Sequence, residues 1–239
     1  MTSAGDIRVA VPLYTVAEAA RYVRVPTSTY ATWVKGYERR LDGGRHVHGD
    51  PVVTALPAPR GEPTIPFVGL AESMVLAAFR KSGVSLQHIR QTILALEREI
   101  GMKHALASQR LYTDGAVILY DFAEHSVGDA AGEELAELTR VVDGQRVFTD
   151  VVRECLRRMT YADDGLAAEL VLPYGDRDVL RIRPDQAGGR PLFVRGRAPL
   201  DEAVARWRAG DRIAAIAEDF NVPADDLEDA LRVAVVTAA

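Results

Sequence analysis

Cysteine is almost missing from this chain of 239 residues, which contains only Cys155. A single thiol cannot form a disulfide within the chain, so the composition gives no sign of an oxidising compartment. The N-terminal residues contain no apolar stretch long enough for a signal peptide. No run approaches the ~20 apolar residues that cross a bilayer. We therefore expect a soluble, cytoplasmic protein that does not contact a membrane.

The motifs that mark many enzyme active sites are missing as well. The sequence has no glycine-rich phosphate loop, no Gly-x-Ser-x-Gly motif and no Cys/His pair placed for nucleophilic attack. Cys155 falls on an apolar helical face, where a thiol is usually inert. His46 and His48 have few other ligands nearby, which is a weak signal for a metal. We expect no enzymatic activity, no metal site and no cofactor.

Charge is distributed unevenly, although the net charge is only −5. Residues 1–110 carry 14 Lys and Arg against 9 Asp and Glu, whereas residues 111–239 carry 15 against 25. A basic half favours contact with phosphate groups. An acidic half favours a basic protein surface, or it only keeps the protein soluble. This asymmetry indicates two partners of opposite character.

Two short helices are predicted near the N-terminus. Thr15 and Glu18 form a capping box that starts the first helix, and Pro26 ends it. A cluster of hydroxyl residues then supplies the caps of a second helix, which ends at Gly36. Such a pair is typical of a helix-turn-helix, whose second helix enters the major groove. The predicted DNA-binding residues are Thr27, Ser28, Thr29, Lys35, Arg39, Arg40, Arg45 and Arg60.

A β-hairpin is predicted within residues 41–66, which are rich in glycine and proline. Residues 52–56 and 64–67 are its predicted strands. Arg60 lies in the turn between them, where it can reach phosphate or the minor groove. A hairpin in this place would be the wing of a winged helix-turn-helix.

A helical pair is predicted in the middle of the chain. Residues 70–81 are almost all apolar or small, which indicates a helix buried on most of its circumference. Gly83 ends it, and Ser85 begins an amphipathic helix that Gly101 closes. Because protein symmetry usually mirrors operator symmetry, we expect a homodimer with its interface on this pair. The alternative is ordinary core packing between the two helices.

The region that follows is predicted to be mixed. Residues 111–114 and 117–122, separated by Gly115, are interpreted as a β-hairpin. Residues 129–160 have a helical pattern, with residues 147–149 as an alternative strand edge. Further predictions are strands at 168–172 and 179–182 and a linker at 184–191.

The C-terminal residues have the most specific pattern. A strand and turn at 191–199 precede a helix at 200–208, after which Asp211 caps a helix to residue 220 and Pro223 opens the last one. The last helix is acidic and would repel phosphate, so this module suits a protein partner. The predicted partner-binding residues are Arg195, Arg197, Arg206, Arg208, Arg212, Asp225, Asp226 and Glu228.

These motifs resemble a known family. A proline-led strand, a helix ending in glycine and the segment Ile213-Ala-Ala-Ile-Ala-Glu-Asp-Phe220 resemble a helical domain of unknown function common in bacterial antitoxins. The turn Arg195-Gly196-Arg197 departs from the usual Gly-Thr-Arg. Tyr14-Thr-Val-Ala-Glu18, Trp33 and Gly83-Val-Ser-Leu-Gln-His-Ile-Arg90 resemble the MerR-like architecture that precedes this domain in some VapB-type antitoxins.

This resemblance implies a function. The partner would be a VapC-type toxin, a PIN-domain ribonuclease whose acidic metal site the antitoxin occludes, and the protein would repress its own operon through DNA binding. One arginine of the C-terminal module would enter that acidic site; alternatively, these arginines pair with the module's own carboxylates. The alternative function is a stand-alone MerR-like transcription regulator whose C-terminal half senses a ligand.

The predicted fold is therefore mainly α with short β-hairpins (α+β). It combines an N-terminal winged helix-turn-helix with a C-terminal helix-turn-helix-like module. Four regions are expected: the winged helix-turn-helix (1–66), a helical pair and hairpin (67–125), a mixed connecting region (126–183) and the antitoxin-type module (184–239).

Overall fold

Short helices and small antiparallel sheets form an α+β fold in the computed structural model of this protein, as predicted. The structure describes residues 5–40, 46–101, 103–125, 139–142, 145–172, 174 and 177–236. The helices are α1 (Ile7–Ala10), α2 (Val16–Tyr22), α3 (Thr27–Lys35), α4 (Phe67–Lys81), α5 (Leu86–Ile100), α6 (Gln109–His125), α7 (Asp150–Arg157), α8 (Leu200–Arg208), α9 (Ile213–Phe220) and α10 (Ala224–Val236). The strands are β1 (Pro12–Tyr14), β2 (Tyr37–Arg40), β3 (His46–Gly49), β4 (Ile65–Pro66), β5 (Thr139–Val142), β6 (Gln145–Phe148), β7 (Met159–Tyr161), β8 (Ala167–Val171), β9 (Leu180–Ile182) and β10 (Leu192–Phe193).

Helix α4 is the centre of the fold. Thirteen of its fifteen residues are buried, including Glu72 and Ser73, and it packs against α1, β1, β4, α5, α7 and β8. A helix enclosed by its own chain leaves no surface for a second subunit, so the dimer interface predicted on α4 is wrong and core packing holds there. Helix α5 differs, because its Leu94 is 68% exposed.

Glu72 lies in a buried polar cluster beside α4. Its carboxylate accepts hydrogen bonds from the backbone N–H of Thr54 (2.7 Å) and from Thr54 Oγ1 (3.0 Å). His104 Nδ1 lies 2.8 Å from Glu72 Oε1, and this hydrogen bond raises the pKa of His104 above its ordinary value. The cluster joins the segment after β3 and the 3-10 turn Ala105–Ala107 to α4.

The C-terminal module is hydrogen-bonded to the region before it. Strands pair antiparallel in the order β7-β8-β9-β10, with Leu192 opposite Arg181. Residues 184–191, predicted as a linker, contain instead the 3-10 turn Ala187–Gly189. Tyr14 Oη donates to the buried carbonyl of Gly189 at 2.9 Å, and a Cβ at Gly189 would lie 2.7 Å from that same Tyr14 oxygen. The turn therefore requires glycine and packs on the N-terminal part of the chain.

The β-hairpin predicted at residues 111–122 is wrong, because this segment belongs to helix α6. Gly115 is a packing residue inside the helix rather than a turn residue. A Cβ there would lie 2.8 Å from Leu111 Cδ1 and 3.1 Å from Phe148 Cζ. The absence of a side chain at Gly115 thus makes room for the Phe148 ring. Glycine is needed here for a long-range contact, although a glycine at this place in the sequence also fits a local turn.

Of the described residues in the helical pattern predicted at 129–160, only α7 (Asp150–Arg157) is helical. Residues 129–138 lie outside the described residues. Strands β5 and β6 occupy residues 139–142 and 145–148 and pair antiparallel, which agrees with the alternative strand edge at 147–149. Asp143-Gly144 stands between two stretches with β-branched residues, a pattern that favours a hairpin.

The His104–Glu72 pair predicts a pH dependence of stability. Because the pKa of folded His104 is raised above 6.5, the pair stabilises the fold fully below pH 6.5, and this contribution is lost as the pH rises through the raised value. Replacing His104→Gln should therefore lower Tm more at about pH 6 than at about pH 8.5 in thermal unfolding followed by circular dichroism. His48→Gln, at an exposed histidine, is the control; equal losses for His104→Gln at both pH values would contradict the prediction.

Candidate nucleic-acid interface

The helix-turn-helix starts with the capping box that the sequence predicts. The backbone N–H of Glu18 donates to Thr15 Oγ1 (3.2 Å), and the N–H of Thr15 donates to Glu18 Oε2 (2.9 Å). Helix α2 ends at Tyr22, and Arg24 in the turn adopts a left-handed conformation with φ 59°. The chain then re-enters a helix at Thr27, after Pro26 as the N-cap.

Helix α3 presents a polar face outward. Tyr30 and Trp33 are buried at 0% and 1% exposure, and Tyr30 Oη donates to Ser73 Oγ of α4 at 3.1 Å. These contacts fix the inward side of α3. Helical spacing then places on the opposite side the residues Ser28, Ala31, Thr32 and Lys35.

The predicted hydroxyl cluster is only partly on this face. Ser28 lies on it and is exposed, Thr27 is exposed to one side of it, and Thr29 is half-buried. No side chain caps α3, so the expected capping role of the cluster is wrong: the three residues form the first turn itself. Sequence reasoning missed Thr32, although its position opposite Tyr30 and Trp33 follows from helical periodicity.

A β-hairpin follows α3 at once, but it is not the one predicted. Strands β2 and β3 pair antiparallel, with Tyr37 opposite Gly49. Residues 52–56 do not form a strand, because Val52 and Val53 both donate their backbone N–H to the carbonyl of Trp33 (2.8 and 3.2 Å). Ile65 pairs instead with Tyr14 of β1. The wing is therefore the β2–β3 hairpin.

The base of this hairpin is fixed against the rest of the fold. Gly36 has φ 73°, and a Cβ there would collide with the carbonyl oxygen of Gly49. The Arg90 guanidinium of α5 stacks 4.9 Å from the centre of the Tyr37 ring and donates from Nε to the Asp50 carbonyl at 2.7 Å. A cation over an aromatic face is attracted by the ring quadrupole. Arg90 therefore fixes the position of the wing relative to α3.

The predicted phosphate contacts fall in different places. Lys35 is exposed at the end of α3, and Arg39 and Arg40 lie in β2 and hence in the wing. Arg45 lies outside the described residues. Arg60 is exposed in the predicted turn at residues 59–62, which Leu56 closes by donating its backbone N–H to the Thr64 carbonyl at 2.7 Å. This turn is not the tip of the β2–β3 hairpin, so the predicted place of Arg60 at the wing tip is wrong.

Some of the predicted partner-binding residues pair within the C-terminal module. Arg195 binds Asp226 Oδ2 through Nε (2.9 Å) and Nη2 (2.6 Å), and Asp226 is only 4% exposed. Arg206 binds Asp211 and Asp219, both at 2.7 Å. The alternative that these arginines pair with the module's own carboxylates thus describes Arg195 and Arg206.

Other predicted partner-binding residues are exposed, and three of the arginines are unpaired among the described residues. Within the described ranges, Arg197, Arg208 and Arg212 have no carboxylate partner. Asp225 is exposed, and Glu228 makes only an exposed contact with Arg232 at 3.4 Å. Asp211 does not cap α9, because its carboxylate binds Arg206 and the N-cap is Arg212.

Neither a metal centre nor a membrane span is found in the described part of the chain. No group of three or more His, Cys, Asp and Glu residues there is placed to hold an ion. The helices there are too short or too polar to cross a bilayer.

Comparison with known proteins identifies the family. Residues 12–93 match a family model described as "Putative DNA-binding HTH domain", and residues 181–234 match "Protein of unknown function (DUF433)". A protein of Mycobacterium tuberculosis (strain ATCC 25618 / H37Rv) named "Putative antitoxin VapB45" is 44% identical over 230 residues, which are 95% of each chain. The chain belongs to the VapB45 antitoxin family.

The fold of this VapB45 family member agrees with an experimental structure. The X-ray crystal structure of Rv2018 from Mycobacterium tuberculosis matches it with a TM-score of 0.82 at 40% identity, over 94% of this chain and 99% of that chain. The match to the helix-turn-helix model extends past the wing through α4 to residue 93 and thus includes Arg90. The predicted resemblance to VapB-type antitoxins and the predicted helix-turn-helix are confirmed.

Asp226 offers a test of which carboxylates are structural. Its buried charge is hydrogen-bonded by Arg195, so Asp226→Asn should lower the free energy of unfolding by roughly 1.5–3 kcal/mol, the range for hydrogen bonds to charged groups. Asp225→Asn, at the exposed neighbouring position, is the matched control and should change it by less than about 0.5 kcal/mol. Urea unfolding measures both; equal effects of the two substitutions would show that Asp226 has no special structural role.

Proposed function

We propose that this protein is the antitoxin of a type II toxin–antitoxin pair. It binds the operator of its own operon and represses it, and it neutralises a VapC-type PIN-domain ribonuclease by direct contact. The observation that carries the DNA-binding part is the outward polar face of α3, which the β2–β3 hairpin follows directly. Membership of the VapB45 antitoxin family supports the toxin partner.

Recognition of DNA would use two sets of side chains. The Ser28 hydroxyl can donate and accept hydrogen bonds, and the Thr32 hydroxyl, which donates to the Ser28 carbonyl at 3.0 Å, can still accept one. Both groups therefore suit base edges in the major groove. Between them, the small Ala31 lets the helix approach closely. Lys35, Arg39 and Arg40 would contact phosphates, which position the protein without reading sequence.

A homodimer suits this mode of binding, because a two-fold symmetric protein matches a palindromic operator. Since α4 is enclosed by its own chain, the dimer interface would lie on α5 and α6. Large apolar side chains are exposed there, namely Leu94, Tyr112 and Val117, at 68%, 43% and 47%. Both the operator and a ribonuclease toxin are intracellular, so the proposed function is cytoplasmic.

The toxin-binding surface would lie around the α8–α9 turn. Arg208 and Arg212 flank this turn without a carboxylate partner in the described residues, and Trp207 beside them is 38% exposed. Trp and Arg are among the residue types most enriched in binding hot spots. An unpaired guanidinium also suits the acidic metal site of a nuclease, whereas Arg195 and Arg206 already have carboxylate partners.

Operator binding tests the DNA-facing residues. Replacing Lys35, Arg39 and Arg40 with alanine should weaken binding to the promoter fragment of the protein's own operon. The slope of log K against log salt should flatten by roughly 0.9 for each phosphate that the variant no longer neutralises. Fluorescence anisotropy at several salt concentrations measures both. Lys103→Ala is the control for an exposed lysine elsewhere, and an unchanged slope in the triple variant would place the phosphate contacts on other residues.

Toxin inhibition tests the C-terminal surface. Reversing charge at Arg197, Arg208 and Arg212 (each to Glu) should weaken binding of the toxin encoded in the same operon by about tenfold or more, since acidic groups would then face each other. Operator affinity should not change. Arg98→Glu on α5 is the matched control, and ribonuclease inhibition is the readout. Full inhibition by the triple variant would show that the toxin binds elsewhere.

A further inference from the structure

A cavity of about 230 Å³ lies between the helix-turn-helix and the helices behind it. Its inner wall is apolar and comes from three helical segments: Val23 at the end of α2, Met74, Ala77 and Ala78 on α4, and Cys155 on α7. The residues that face DNA in the proposed function do not line it.

The rim of the cavity carries one positive charge that is not compensated. Lys81, Glu154, Arg158 and Val151 complete the lining. The charge of Arg158 is compensated, because its Nε lies 3.4 Å from Glu154 Oε1 and its Nη1 lies 3.7 Å from Asp178 Oδ1. Nη1 also donates to the Leu172 carbonyl at 3.2 Å. Lys81 has no carboxylate partner in the described part of the chain.

The cysteine in the wall remains neutral. Burial raises the pKa of the Cys155 thiol to about 12, so it is protonated at neutral pH and carries no negative charge into the cavity. A protonated thiol is a poor nucleophile, which argues against covalent chemistry here. It acts as a small apolar group with a weak S–H donor.

We propose that this cavity binds a small monocarboxylic acid with an apolar body. The carboxylate pairs with Lys81, and the hydrocarbon part lies against Met74, Ala77 and Ala78. A neutral molecule of the same shape leaves the lysine unpaired, and an amine meets like charge. A dianion requires a second free cation, which the rim does not offer because Arg158 is already paired. Ligand sites of this kind are concave and mostly apolar, with a few polar groups that fix orientation.

Calorimetry on the full chain tests the proposal, with phenylacetate as the probe and 2-phenylethanol and phenethylamine as matched neutral and cationic probes. Phenylacetate should bind about tenfold or more tightly than either. Lys81→Gln should weaken it by about the same factor, and Val151→Trp should block the mouth; both positions are exposed, so the fold should be kept. Lys103→Gln is the matched control. No saturable binding of phenylacetate, or equal binding by Lys81→Gln, would overturn the proposal.

The single thiol gives an independent readout at the site itself. At about pH 9 more of the Cys155 thiol is ionised, so that its slow reaction with methyl methanethiosulfonate can be followed. Bound phenylacetate should slow this reaction further in the wild type and in Lys103→Gln, with little effect in Lys81→Gln. Because the chain has one cysteine, the reaction reports on this cavity alone. Binding by calorimetry without protection of the thiol would place the acid elsewhere and refute the assignment.

Discussion

Glu72 places a carboxylate on a helix that is otherwise enclosed by apolar neighbours. A buried charge is tolerated only when it is paired and hydrogen-bonded, and Thr54 and His104 meet this requirement. The segment after the wing and the turn before α6 are thereby held to α4. Since Tyr30 also donates to Ser73 of the same helix, the outward face of α3 is positioned by the packing around α4.

The helices that could be predicted are those whose signals are local. Capping at Thr15, the apolar run that becomes α4 and the glycine stops at Gly83 and Gly101 each depend on neighbouring residues. The errors arise where the conformation of a segment depends on contacts with residues that are distant in the sequence. Gly115 mimics a turn residue but accommodates Phe148, and residues 52–53 pair with the end of α3 rather than with a second wing strand.

The candidate site likewise has features that could be predicted from the sequence and features that could not. The place of α3 and its polar character could be predicted, and Thr32 follows from the periodicity set by Tyr30 and Trp33. The sequence could not predict which arginines remain unpaired, because pairing depends on carboxylates that folding brings near them. Arg195 reaches Asp226 across 31 residues of chain, so composition alone cannot separate it from Arg197. Charge in a sequence thus does not show which side chains remain unpaired after folding.

The contact between Tyr14 and Gly189 has a consequence for how the chain can be cut. The 3-10 turn connects β9 to β10, and β10 forms the last rung of the main sheet. A protease that cleaves there would free the edge strand and expose the unpaired backbone of β9. The same cut would weaken the hydrogen bond between Gly189 and Tyr14, so proteolysis at this one turn would loosen the contact between the C-terminal module and β1 near the N-terminus.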